Sequence, residues 1–126
     1  MNTGFILITM IFMHIVADFV LQGIMAELKQ KKTYEPFGGF YRSDWVGALF
    51  MHSFMWSFMV MLPWAYVMEF NIGFLFVVIL FVNTLVHAII DHAKCNMFKI
   101  NLIMDQSLHM FQIIITNWIL MGVYVC

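Results

Sequence analysis

The chain has 126 residues, 63% of them hydrophobic and 10% charged, far from the roughly 45–50% and about 25% of a soluble domain. This composition describes an all-α integral membrane protein of one domain, residues 1–126, with no room for a separate soluble catalytic domain. A formal net charge of −1 supplies no basic surface, so no nucleic-acid partner is expected.

Hydropathy and length predict four membrane-spanning helices in a polytopic bundle. The first runs from about Thr3 to Ala26. It lacks the basic start of a signal peptide, and Asp18 interrupts its apolar stretch, so a retained span is expected. His14, Asp18 and Gln22 recur at four-residue spacing, which makes one narrow stripe on a helix. The connection from Glu27 to Ser43 carries Lys29, Lys31, Lys32 and Arg42. Its Pro36, Gly38 and Gly39 lie among Phe37, Phe40 and Tyr41. It reads as an interfacial turn, with a short re-entrant lid over the polar groups as the alternative.

The second helix spans about Asp44 to Met68, with Asp44 as its expected cap. His52 is its lone polar landmark. Met51, Met55 and Met59 form a ladder that reads as packing rather than soft-metal transport, and Pro63 is placed to bend the helix late. Trp45, Trp64 and Trp118, near helix ends, read as interfacial anchors. The third helix, about Ile72 to Ala93, repeats the stripe as Asn83, His87 and Asp91, with His92 pointing off it. The fourth, about Leu102 to Val125, brings Asp105, Gln106 and His109.

All six basic residues fall in or beside the first and third connections, whereas Glu69 is the only charge in the second. The positive-inside rule makes the basic face cytoplasmic and puts both termini outside. A bacterial inner membrane is the expected location. Cys95 and Cys126 then belong to opposite faces and cannot form an intramolecular disulfide.

At about 1.5 Å per residue, Asp18, His52, His87 and His109 share a layer roughly 10–13 Å from the cytoplasmic end. His14 and Asn83 lie deeper, and Gln22, Asp91 and Asp105 lie nearer the mouth. The outer half offers only the weakly polar Ser57, Thr116 and Asn117, which points to a chamber opening to one side. The first and third helices both carry His-x3-Asp, as in two weakly similar hairpins whose motifs would meet near an axis along the membrane normal.

Ionisable groups inside a membrane cost several kcal/mol on insertion scales and face bundle interiors, partners or water-filled cavities. Interhelical glue is the bland explanation for any one of them, since Asn, Gln and His commonly hydrogen-bond between spans. Four His and three Asp together exceed that need. Imidazole and carboxylate converging from several helices build metal sites, and this donor set favours a divalent transition metal, zinc above all. The expected ligands are Asp18, His52, His87 and His109. His14, Asp91 and Asp105 would hold a second metal, orient the imidazoles or act as general base. Gln22, Asn83 and Gln106 would orient substrate or water.

The run His14-Ile-Val-Ala-Asp18-Phe19-Val-Leu-Gln22, the Lys-rich turn and His52 are followed by Asn83-x3-His87-x3-Asp91-x2-Lys94 and by Asp105-Gln106-x2-His109. This ordered set resembles a bacterial and bacteriophage family of small membrane proteins known as a domain of unknown function, the DUF3307 type. The resemblance covers nearly the whole chain. It implies a multi-spanning membrane protein and no established activity. More loosely, the pattern is similar to small inner-membrane proteins assigned as metal-dependent hydrolases, an analogy of residue types alone.

Three functions follow as expectations. The first is a membrane-embedded metal-dependent hydrolase acting on a lipid-linked or amphiphilic substrate. The second is a proton, ion or small-solute transporter or channel, which with so small a bundle calls for a homo-oligomer. The third is a phage or bacterial accessory protein that binds another membrane protein.

Overall fold

A computed structural model describes residues 2–125. Cys126 lies outside the described residues, and with it the expected placement of the two cysteines. Five α-helices follow in order: α1 (Thr3–Ile15), α2 (Met25–Leu28), α3 (Asp44–Val67), α4 (Phe74–Cys95) and α5 (Leu102–Tyr124). Four spans are long and apolar enough to cross a membrane: Thr3–Val20, α3, α4 and α5. Hydrocarbon offers the backbone no partners, so apolar runs of this length satisfy their amides internally as helices. The protein is therefore an all-helical membrane protein. α3 packs against α1 and α4, and α5 closes the ring by packing against both.

The helix starts differ in how their free amides are met. Asn2 accepts from the Phe5 amide at 3.2 Å and Asn101 from the Met104 amide at 2.9 Å, the usual side-chain caps. Asp44 does not cap α3. It is the first helical residue, Ser43 holds the cap position, and Ser43's side chain makes no capping bond. Asp44 acts only as a negative charge beside the helix dipole. α3 continues through Pro63 to Val67, then turns with Glu69 and Phe70 at φ of 52° and 58°.

The first span departs from a plain helix reaching Ala26. After Ile15 the chain makes a π-helical turn, Val16–Val20, closed by the Leu21 amide on the Val16 carbonyl at 2.8 Å. It then bends at Gly23, whose φ is +46°. A Cβ there would meet only the Leu21 carbonyl oxygen, at 4.0 Å. Conformation rather than space therefore demands glycine, and Gly23→Ala is expected to lose about 1–2 kcal/mol. Gly23→Asn should lose less, because Asn tolerates this region better. Unfolding of the micelle-bound protein by titrated denaturing detergent measures both.

The half of the bundle away from the lysines is filled by Met10, Val60, Met61, Trp64, Ile113 and Leu120, all at most 1% exposed. Trp64 is thus a core residue and not an interfacial anchor. Its indole N–H donates to Asn117 Oδ1 at 3.0 Å, which lets a buried indole settle inside the bundle. Trp118 is 70% exposed and faces outward. Near the bundle's middle, Gln112 donates to both the carbonyl and the Oδ1 of Asn83, at 2.9 and 2.8 Å, and Thr116 donates to the same Oδ1 at 2.9 Å. This network ties α4 to α5. Replacing Asn83 by Leu should lower stability by about 1–2 kcal/mol, the loss of two interhelical bonds at the strength usual in membranes. The same denaturation reads it.

Candidate metal centre

The π-helical turn changes which way Asp18 faces relative to His14. One extra residue in the turn rotates its carboxylate, whose Oδ1 lies 3.4 Å from His52 Nε2 and 3.7 Å from His87 Nε2. Oδ2 is 3.7 Å from His14 Nδ1. Such turns frequently occur at functional sites.

On α4, which is regular here, His87 and Asp91 stack one turn apart. Asp91 Oδ2 lies 3.2 Å from His52 Nε2 and 3.6 Å from His87 Nε2. Its other oxygen, Oδ1, is 3.5 Å from His109 Nε2, and His109 Nε2 is 3.4 Å from Asp105 Oδ1. His52 and His87 face each other through their Nε2 atoms at 3.3 Å. All of these side chains are buried. The two His-x3-Asp motifs thus bring both aspartates to the single imidazole of His52.

These separations carry chemical information. A charge-assisted N–H···O bond is about 2.7–2.9 Å long, shorter than every His–Asp approach in the cluster. Ligands about 2.0–2.2 Å from a tetrahedral ion lie roughly 3.3–3.6 Å from one another. The spacing fits edges of a coordination polyhedron better than direct hydrogen bonds. Buried atoms without partners point the same way: Asp18 Oδ1, Asp105 Oδ1 and His109 Nε2. Three sets have ligand atoms mutually within 4.8 Å: Asp18, His87 and His109; His52, His87 and Asp91; and Asp91, Asp105 and His109. These buried groups can hold a metal ion.

Two lysines complete the electrostatics, and sequence reasoning assigned neither to the site. Lys29, 5% exposed, donates to Asp91 Oδ2 at 2.5 Å. Lys94 donates to Asp105 Oδ2 at 2.6 Å. With neutral imidazoles, three carboxylates face two ammonium groups, leaving one negative charge in excess. An uncompensated buried charge costs several kcal/mol, so the chamber favours an added positive charge, either a bound cation or a proton on an imidazole. A carboxylate oxygen has two lone-pair directions, and Asp91 Oδ2 can keep Lys29 while offering the other.

Trp56, also unassigned from sequence, braces the cluster. Its indole N–H donates to His14 Nδ1 at 2.8 Å, and because indole only donates, the His14 proton sits on Nε2. That nitrogen meets Gln106 Oε1 at 3.0 Å, and Gln106 Nε2 donates to Asp105 Oδ2 at 2.9 Å. Both His14 nitrogens are therefore engaged. The Trp56 ring also stacks on His87, centroids 4.2 Å apart, and His87 stacks in turn on His109 at 4.2 Å. Position offered one signal, since Trp56 follows His52 by one helical turn.

The other candidate residues are placed apart. Gln22 bonds the Asp18 carbonyl at 2.7 Å, and Asn83 belongs to the Gln112–Thr116 network. His92 is half-buried, stacked on Trp45 at 5.1 Å. Asn96 clamps the first connection, accepting from the Lys31 amide at 2.7 Å and donating to the Lys29 carbonyl at 3.1 Å. This holds the Lys29 segment over the cluster as a cover, while Phe37 and Phe40 remain 66% and 91% exposed. The Lys29 end of the connection therefore takes the covering role.

Fold and site together define a polytopic α-helical membrane protein with a buried His/Asp centre beneath a lysine-bearing cover. The chain belongs to the family described as protein of unknown function (DUF3307), whose model matches residues 6–124. No curated protein and no solved structure matches it.

Proposed function

We propose that the chain is a membrane-embedded metal-dependent hydrolase that takes an amphiphilic or lipid-linked substrate from the lysine-rich face, the cytoplasmic face of a bacterial inner membrane by the positive-inside rule. The observation that carries this reading is the convergence of His52, His87 and Asp91 at the 3.2–3.6 Å spacing of metal ligands, with Asp18 Oδ1 3.4 and 3.7 Å from the two imidazoles. Zinc is the preferred ion for such imidazole and carboxylate donors, and when bound it lowers the pKa of water to about 7. Lys94, the more exposed of the two lysines, offers an ammonium group at the rim for an anionic head.

An apolar groove of about 340 Å³ between α4 and α5, lined in part by Ile79, Val86, Ile90 and Phe111, suits a hydrocarbon tail. Ile90 adjoins Asp91 in the chain. Val60, Met61, Trp64 and Leu120 are buried in the opposite half, which favours a dead-ended chamber over a through-passage and so a hydrolase over a transporter.

The test is elemental analysis of protein purified in mild detergent. A transition metal should accompany the wild type and be lost from His87→Ala, with elution volume and helicity retained. Chelator-sensitive cleavage of phosphate- or ester-linked lipids in mixed micelles should follow the metal. A wild type that neither contains nor takes up metal overturns the reading.

A further inference from the structure

We propose that the centre holds two divalent ions, with Asp91 bridging them, and that it acts on a phosphate ester. The proposal rests on the metal reading above and deepens it. Asp91 turns its two oxygens in different directions. Oδ2 joins His52 Nε2 and His87 Nε2 at 3.2 and 3.6 Å, and Asp18 Oδ1 lies 3.4 Å from the same His52 nitrogen. Oδ1 faces His109 Nε2 at 3.5 Å, and Asp105 Oδ1 lies 3.4 Å beyond.

Each group offers atoms at ligand spacing, and they share Asp91 through different oxygens. The second group contains two of the cluster's unpartnered atoms, His109 Nε2 and Asp105 Oδ1, on residues that are 0% exposed. Lys94 and Gln106 occupy Asp105 Oδ2 at 2.6 and 2.9 Å, which leaves Oδ1 turned inward. A single ion among Asp18, His87 and His109 would leave Asp105 Oδ1 without a partner. A second ion beside Asp91 Oδ1 gives both His109 Nε2 and Asp105 Oδ1 a partner.

The charge balance identifies the substrate class. Two divalent cations outweigh the surplus carboxylate and make the loaded centre cationic. Carboxylate-bridged metal pairs suit in-line displacement at phosphorus, because they stabilise both the attacking and the leaving oxygen. Hydrolysis then breaks one P–O bond and forms another from water, the leaving oxygen taking up a proton.

Metal stoichiometry decides the matter. Detergent-purified protein saturated with zinc or manganese should hold two ions per chain, falling to one in both His109→Gln and Asp105→Asn. Manganese-loaded wild type should give an exchange-broadened electron paramagnetic resonance spectrum, and the variants the hyperfine pattern of an isolated ion. Inorganic phosphate should bind the two-ion form and bind His109→Gln at least ten-fold more weakly. Saturation of the wild type at one ion, unaltered in both variants, overturns the bridged pair while sparing the metal reading. No uptake overturns both, and two ions with no phosphate binding overturns the substrate class.

Discussion

Asp91→Ala is expected to lower stability by about 3–5 kcal/mol, the usual cost of stripping the partner from a buried ion pair. The reason lies with Lys29. Its ammonium is 2.5 Å from Asp91 Oδ2 on a side chain 6% exposed, and the Asn96 clamp on the Lys31 amide and the Lys29 carbonyl resists retreat of the segment that carries it. Without the carboxylate, a charge is left in a chamber of imidazoles. Lys29→Met alone should be milder in its effect on folding, because the remaining carboxylate still faces His52, His87 and His109. In the double variant Lys29→Met with Asp91→Ala, much of the loss should be recovered, since no unpaired charge is then left buried.

A double-mutant cycle in mixed micelles, read by denaturing-detergent titration, isolates the coupling. Additive losses from the two single changes would show that Lys29 reaches water and that the cover is not locked by this pair. The same cycle gives the cover a dynamic readout. Protease cutting near Lys31 and Lys32 should accelerate in Asp91→Ala and return towards the wild-type rate in the double variant.

Trp56→Ala should cost about 3–5 kcal/mol, the range for truncating a large buried aromatic. Trp56 is wholly buried, so its removal leaves a void beside His87 and His14. The informative variant is Trp56→Phe. It keeps most of the volume and removes the N–H donated to His14 Nδ1, at a stability cost of about 1 kcal/mol. His14 is then free to change tautomer, and the chain through Gln106 to Asp105 loses its fixed direction. Metal affinity should fall about 10–100-fold, the usual effect of disturbing groups that orient ligands. Competition with a chelator measures it, and intact affinity in a folded Trp56→Phe protein would remove Trp56 and His14 from any positioning role.

The expected chamber of imidazoles and acids was visible in the sequence because hydropathy and helical period are local. His52, His87 and His109 sit on regular helices, so depth could be counted by rise per residue, and they meet as expected. Asp18 meets them too, though through a π-helical turn that strict four-residue counting does not contain. Gln22 follows the turn and hydrogen-bonds the backbone of its own segment, because the helix expected to carry it has ended. Trp64 looked interfacial by its position near a helix end, whereas packing against Asn117 made it core.

Membrane class, the number of spans and the shared level of the polar groups were determined by the sequence itself, since burial in hydrocarbon acts on each segment separately. The tertiary structure alone decided which oxygen of Asp91 faces which imidazole, and that Lys29 and Lys94 pair with the acids. Those outcomes depend on side-chain directions across different helices. For Lys29 they depend also on a non-helical connection that has no periodicity to read.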